Sequence, residues 1–226
     1  MKRLLLSIIL SSALCGTAMQ AGAQAKSAIE RNNAGVAFMQ RDLFKDAAAA
    51  FGDALAADPS FDLARINLGI ALFYDHNSEG ALKVMADVRK TEPRNPYAVF
   101  ISALVWKNLG DQEKAIELLR LETEIDPACS ASHYNLGLLY SRQDRLKEAE
   151  NALRRVLELD PNHTGALYNL GSLLAKTGRA EEGKRMLEKF RQQRARAVPQ
   201  VGMGSGTGYG EVGKYAIAQG FQWAKP

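Results

Sequence analysis

Apolar positions in this chain fall on two successive helical stripes, and then the pattern starts again. Between residues 130 and 163, Leu136, Leu139 and Tyr140 lie three and four apart, which places them on one face of a helix. A polar turn, Gln143-Asp144-Arg145, follows, and Ala149, Leu153 and Val156 then mark a second stripe. The same helix–turn–helix pattern recurs with a period set by Pro59, Pro93, Pro127 and Pro161, which stand 34 residues apart. These prolines follow Asp58, Glu92, Asp126 and Asp160. A residue before proline avoids helical angles, so each pair predicts the end of a second helix. Taking the proline as position 32, the units begin at Ala28, Asp62, Pro96, Ser130 and Thr164. A unit of this size cannot bury its apolar face alone and must stack on its neighbours.

Other positions repeat in the same frame. Position 8 is Gly35, Gly69, Ala103, Gly137 and Gly171, and position 20 is Ala47, Ala81, Ala115, Ala149 and Gly183. Small residues at both places let two antiparallel helices approach closely. Position 24 is large each time (Phe51, Met85, Leu119, Leu153, Leu187), a knob for the gap that the small residues leave. Gly110 and Gly178 occupy the turn of the third and fifth units, where a left-handed residue ends a helix without steric cost. The fifth unit has Ala195 in place of proline, so its second helix, from about Ala180, is expected to run through Arg196 as a terminal cap. Lys184, Arg185, Lys189, Arg191, Arg194 and Arg196 give that helix a basic face, which either is solvated or meets an anionic partner or membrane surface.

The set of matched positions resembles the tetratricopeptide repeat family over residues 28 to about 196. The resemblance implies an all-α fold: a right-handed α-solenoid of five helix-turn-helix hairpins, here with a glycine-rich C-terminal tail. It also implies a concave groove lined by the first helix of each unit, at positions 2, 5, 6, 9, 12 and 13. Carried onto this sequence, the groove residues are Asn33, Asn67, Phe73, Tyr74, Tyr97, Phe100, Tyr134, Asn135, Arg142, Tyr168, Asn169 and Lys176. Aromatic anchors of this kind suit a peptide or protein partner. Some of these side chains either face the groove or pack against the next unit. The asparagines at position 6, interrupted by Ile101, resemble an amide ladder that holds a peptide backbone; asparagine is also ordinary at this position. The family's clamp for C-terminal carboxylates needs lysine and asparagine where this chain has Asn32 and Val36, and basic residues where it has Tyr97 and Ile101, so that mode is rejected.

Composition adds a compartment. Lys2 and Arg3 precede an apolar run from Leu4 to Leu14, and small residues then lead to Ala23 and Ala25. This reads as a signal peptide over residues 1–25, with a retained membrane anchor as the alternative. Eleven residues are too few to span a bilayer at 1.5 Å each. Cys15 raises lipidation, although Leu14 stands where lipoprotein signals carry a small residue. The mature chain is thus expected to be periplasmic or secreted, with the repeats over 26–196 and a glycine-rich linker and short segment over 197–226. Losing Lys2 and Arg3 lowers the formal charge of +4 to +2, which gives no argument for a nucleic-acid partner. Cys129 is the mature chain's lone thiol, so no internal disulfide forms; it is either buried and inert or paired between chains.

Sites of chemistry fail on inspection. Gly208 to Lys214 looks like a phosphate-binding loop, but Tyr215 stands where a serine or threonine should hold magnesium, and no strand precedes the glycines. His76, His133 and His163 are scattered, without metal-ligand spacing. The sequence therefore predicts a non-enzymatic, exported scaffold with no metal or cofactor, binding a peptide or protein partner in a cell-envelope assembly. The alternative is an accessory subunit of an envelope enzyme or secretion system whose chemistry lies in another chain.

Overall fold

The structure, a computed structural model, describes residues 24–196. The expected signal peptide, Cys15 and the glycine-rich tail with its Gly208–Lys214 loop lie outside the described residues, apart from the leader's last two positions. Every regular element described is a helix. Helix α1 covers 24–39, followed by α2 (Phe44–Ala57), α3 (Asp62–Tyr74), α4 (Ser78–Thr91) and α5 (Pro96–Asn108). Then come α6 (Gln112–Ile125), α7 (Ser130–Arg142), α8 (Leu146–Leu159), α9 (Thr164–Lys176) and α10 (Ala180–Arg196). Two compact units divide inside α4, one reaching Val84 and the other starting at Met85.

Local chemistry sets these boundaries. Asp58, Asp126 and Asp160 precede their prolines with φ near −135° and extended ψ, so α2, α6 and α8 stop there. The same three carboxylates then accept a backbone N–H two residues on, from Ser60, Ala128 and Asn162, closing one turn three times over. The hydrogen bonds from Ser60 hold the Asp58 carboxyl below the usual carboxylate range. Asn95, Asp111 and His163 cap α5, α6 and α9 by accepting from the N–H three residues on. The turn inside each hairpin has a left-handed residue at the same register: Asp42, His76, Gly110, Asp144 and Gly178, with φ between 59° and 86°. Only two of the five are glycine, so sequence alone points to the conformation in only two units.

In the unit ending at Val84, Gly35 receives the Phe51 ring: an added Cβ would lie 2.5 Å from it. Met39, Ala47, Phe51 and Ala54 are buried there, and α2 packs on α3. In the unit from Met85, α5 packs on α6, α7 on α8 and α9 on α10, while α6 meets α7 and α8 meets α9. Leu153 fills the space at Gly137 and Leu187 that at Gly171. Leu153, Val156, Ala166, Leu170 and Leu174 form a core cluster, with Tyr134, Leu157 and Met186 packed on it. Helix α5 is buried almost continuously from Ala98 to Val105, because it is apolar all round.

The last hairpin is also tied by charge. Arg154 donates to Glu150 (2.8 Å) and to Glu182 (2.5 Å), and Arg179 donates to Glu150 (2.7 Å) and to Glu182. Contact with Arg154 and then Arg179 holds the Glu182 carboxyl below its usual range. Burial pushes Glu150 up, and the same two guanidinium groups outweigh it, leaving that carboxyl low as well. All four side chains keep some solvent contact, so each pair stabilises the fold only weakly.

Candidate functional site: the first-helix faces

In the unit ending at Val84, the candidate residues are largely closed on one another. Asn67 is 5% exposed and donates through Nδ2 to Asn32 Oδ1 at 3.0 Å. Asn32 itself is fully buried. The Asn33 side chain is half-buried, with its Oδ1 enclosed. Tyr74 stacks on Phe44 of α2 with centroids 5.1 Å apart, and Phe73 meets Tyr74 edge-on. These two rings remain half-buried.

In the unit from Met85, the first helices are α5, α7 and α9. Phe100, expected in the groove, is 1% exposed and belongs to the core, within the stretch of α5 that is buried from Ala98 to Val105. Tyr97 is half-buried at the start of α5. On the next two helices, asparagine gathers its neighbours. Asn135 donates to Ala131 O (2.8 Å) and accepts from Lys107 Nζ (2.7 Å), and so holds that ammonium over α7. Asn169 donates to Gly165 O (2.7 Å) and to the Tyr134 hydroxyl (3.2 Å). The Tyr134 ring lies against His163, centroids 4.7 Å apart. Gly165 makes this possible, since a Cβ there would sit 2.5 Å from the Tyr134 oxygen. Tyr168 is 51% exposed and leans on Phe190 of α10 at 5.4 Å. Arg142 is exposed, and Lys176 pairs with Asp144 at 2.9 Å. Periodicity flagged neither Gly165 nor Lys107, because neither stands out until Tyr134 and Asn135 are seen to reach them.

The three histidines take part in local structure. His133 Nε2 contacts Pro127 O at 3.1 Å, and burial pushes its imidazole below the ordinary histidine value. His163 caps α9 and His76 makes a left-handed turn. Cys129 is buried, and its sulfur accepts from the Ser132 hydroxyl. Donor atoms of Glu122, Asp126 and Cys129 lie within 4.8 Å of one another, close enough to hold a metal ion. Their spacing of four and three residues, along the last turn of α6 and the loop after it, is the signal sequence reading passed over. No helix among the described residues is long and apolar enough to cross a membrane.

Tetratricopeptide repeat models match residues 32–77 and 66–128, then 130–163 and 165–195, running across both units. The chain belongs to the tetratricopeptide repeat family. No curated protein matches its sequence significantly. Among solved structures, it is similar to MamA (18% identity, TM-score 0.63, covering 72% of this chain and 95% of that one). It is also similar to residues 41 onward of MamA from Desulfovibrio magneticus RS-1 (19%, TM-score 0.66, 77% and 97%). A third is YrrB, described as a tetratricopeptide protein with an unusual peptide-binding site (21%, TM-score 0.58, 75% and 88%). At these identities the likeness shows a shared all-helical repeat fold. The tetratricopeptide fold is generally a non-catalytic scaffold for protein interaction.

Proposed function

We propose that this tetratricopeptide protein is a non-enzymatic scaffold that holds a peptide or protein partner on the face of α5, α7 and α9. The observation that carries this reading is Tyr168, a large ring half open to solvent on the turn of α9 that also carries Asn169, whose amide holds the Tyr134 hydroxyl. A rigid aromatic with a polar tip and an adjacent amide offers both apolar area and hydrogen bonds to an extended chain. The description of YrrB as peptide-binding supports the same reading. The leader at residues 1–25 motivates export, and with it a place in a cell-envelope assembly.

Panning of the mature protein against a random peptide library tests the binding face. Replacing both Tyr134 and Tyr168 by alanine should weaken selected peptides by about 2 kcal/mol or more, roughly 30-fold. Unchanged affinity in a folded double variant would remove this face from the function. Fractionation of cells for the cleaved chain tests export separately.

A further inference from the structure

The charges on the first helices of the unit from Met85 are one-signed. Helices α5, α7 and α9 contain no aspartate or glutamate, whereas α6, α8 and α10 each carry three or more glutamates beside their bases. Each first helix of this unit carries one Lys or Arg, in its last turn: Lys107, Arg142 and Lys176. A cation there balances the helix dipole. Yet α2, α3, α6 and α8 end with no basic residue in the last turn, so the dipole alone does not account for the pattern. Lys107 donates to the Asn135 side-chain oxygen and so extends over α7. The partner of Lys176 is Asp144 in the α7–α8 turn, and both side chains are well exposed, at 64% and 75%. Such an exposed pair is weak and exchanges readily for another carboxylate.

The half-buried Tyr134 and the exposed Tyr168 stand on α7 and α9, about two helical turns before the cations that end those helices. We infer that the partner segment is acidic as well as apolar, with its carboxylates against Lys107, Arg142 and Lys176 and its apolar side chains against the tyrosines. This rests on the reading of the face as a peptide-binding surface and specifies what binds there. Complementary charge of this kind favours encounter and partner choice, and it makes binding sensitive to salt.

Selection from a random dodecapeptide library on the full mature chain is the test, run in parallel on Lys107→Gln/Arg142→Gln/Lys176→Gln. Expected is enrichment of Asp and Glu in the selected peptides, and roughly tenfold weaker binding of those peptides to the variant. Should loss of Lys107 from Asn135 disturb folding, Arg142→Gln/Lys176→Gln alone is expected to weaken the same peptides several-fold. Selected peptides with no acidic enrichment would leave the peptide-binding face standing and overturn this inference. A library yielding no binders defeats both. Anionic vesicles of phosphatidylglycerol, or a single-stranded oligonucleotide, form the last arm: if the triple variant loses these while no acidic peptide is selected, the cations serve a different partner and the inference fails.

Discussion

The position-6 asparagines of the two units hold different partners. Asn67 is buried and spends its amide on the equally buried Asn32. Asn135 and Asn169 instead receive or hold groups from the preceding first helix, Lys107 and the Tyr134 hydroxyl, on a face that also bears the open Tyr168. One repeat position can therefore pair two buried amides in one unit and hold a lysine or a tyrosine of the preceding first helix in another. What differs is the neighbour one repeat away: a second amide in the first case, a long cation or a tyrosine in the second.

Backbone approach gives the sharpest way to break the comparison. In the Met85 unit, an added Cβ at Gly183 would lie 2.6 Å from the Gly171 carbonyl oxygen, a backbone atom that cannot swing aside. In the other unit, Gly52 has open space around it. Gly183→Ala should cost about 3 kcal/mol in denaturant unfolding. Gly52→Ala should add roughly 0.5–1 kcal/mol, because alanine loses less backbone entropy in a helix. Equal effects at the two sites would mean that α9 and α10 are not in such close contact.

The asparagine contrast itself predicts a smaller effect. Asn67→Ala leaves the buried Asn32 oxygen without its donor and should lower stability by about 1–2 kcal/mol while leaving peptide affinity unchanged. Asn169→Ala should instead weaken selected peptides, since it releases the Tyr134 hydroxyl. Parallel thermal melts and binding isotherms separate the two outcomes. A loss of peptide affinity in Asn67→Ala would erase the distinction between the units.

The turns offer a gentler test. His76 carries a side chain at φ 60°, and Gly110 occupies the matching turn at φ 86° with nothing near a would-be Cβ. His76→Gly should stabilise and Gly110→Ala destabilise, each by roughly 1 kcal/mol. Matched signs in chemical denaturation would count against a shared left-handed turn.

Smallest is the pH effect of His133. Burial lowers its folded value, so the unfolded chain binds the proton more readily. Stability from this group is therefore complete well above about pH 6.5 and declines as the pH falls through and below that value. His133→Gln should flatten the slope of stability against pH between about 5 and 7. An unchanged slope would show that other groups set it.

Much of this molecule was legible before any coordinates. The prolines and their preceding acids announced the ends of α2, α4, α6 and α8; the unit starts at Asp62, Pro96, Ser130 and Thr164 are the first residues of α3, α5, α7 and α9. The pairing of small position 8 with large position 24 is seen at Gly35 and Phe51, Gly137 and Leu153, and Gly171 and Leu187. These features are local, or repeat at a fixed interval, and steric rules read them directly. Three of the five left-handed turns were not legible, because Asp42, His76 and Asp144 are not glycines.

Sequence by itself determined which residues are equivalent, and hence the helices, the places where they end and the family. Only the tertiary structure decided which equivalents are covered. Phe100 and Tyr168 share position 5, yet one is 1% exposed and the other 51%. Periodicity fixes a side chain's direction on its own helix, whereas exposure depends on the atoms of other helices that arrive over it. For the same reason, Lys107 and Gly165 entered the site only once Asn135 and Tyr134 were seen to reach them.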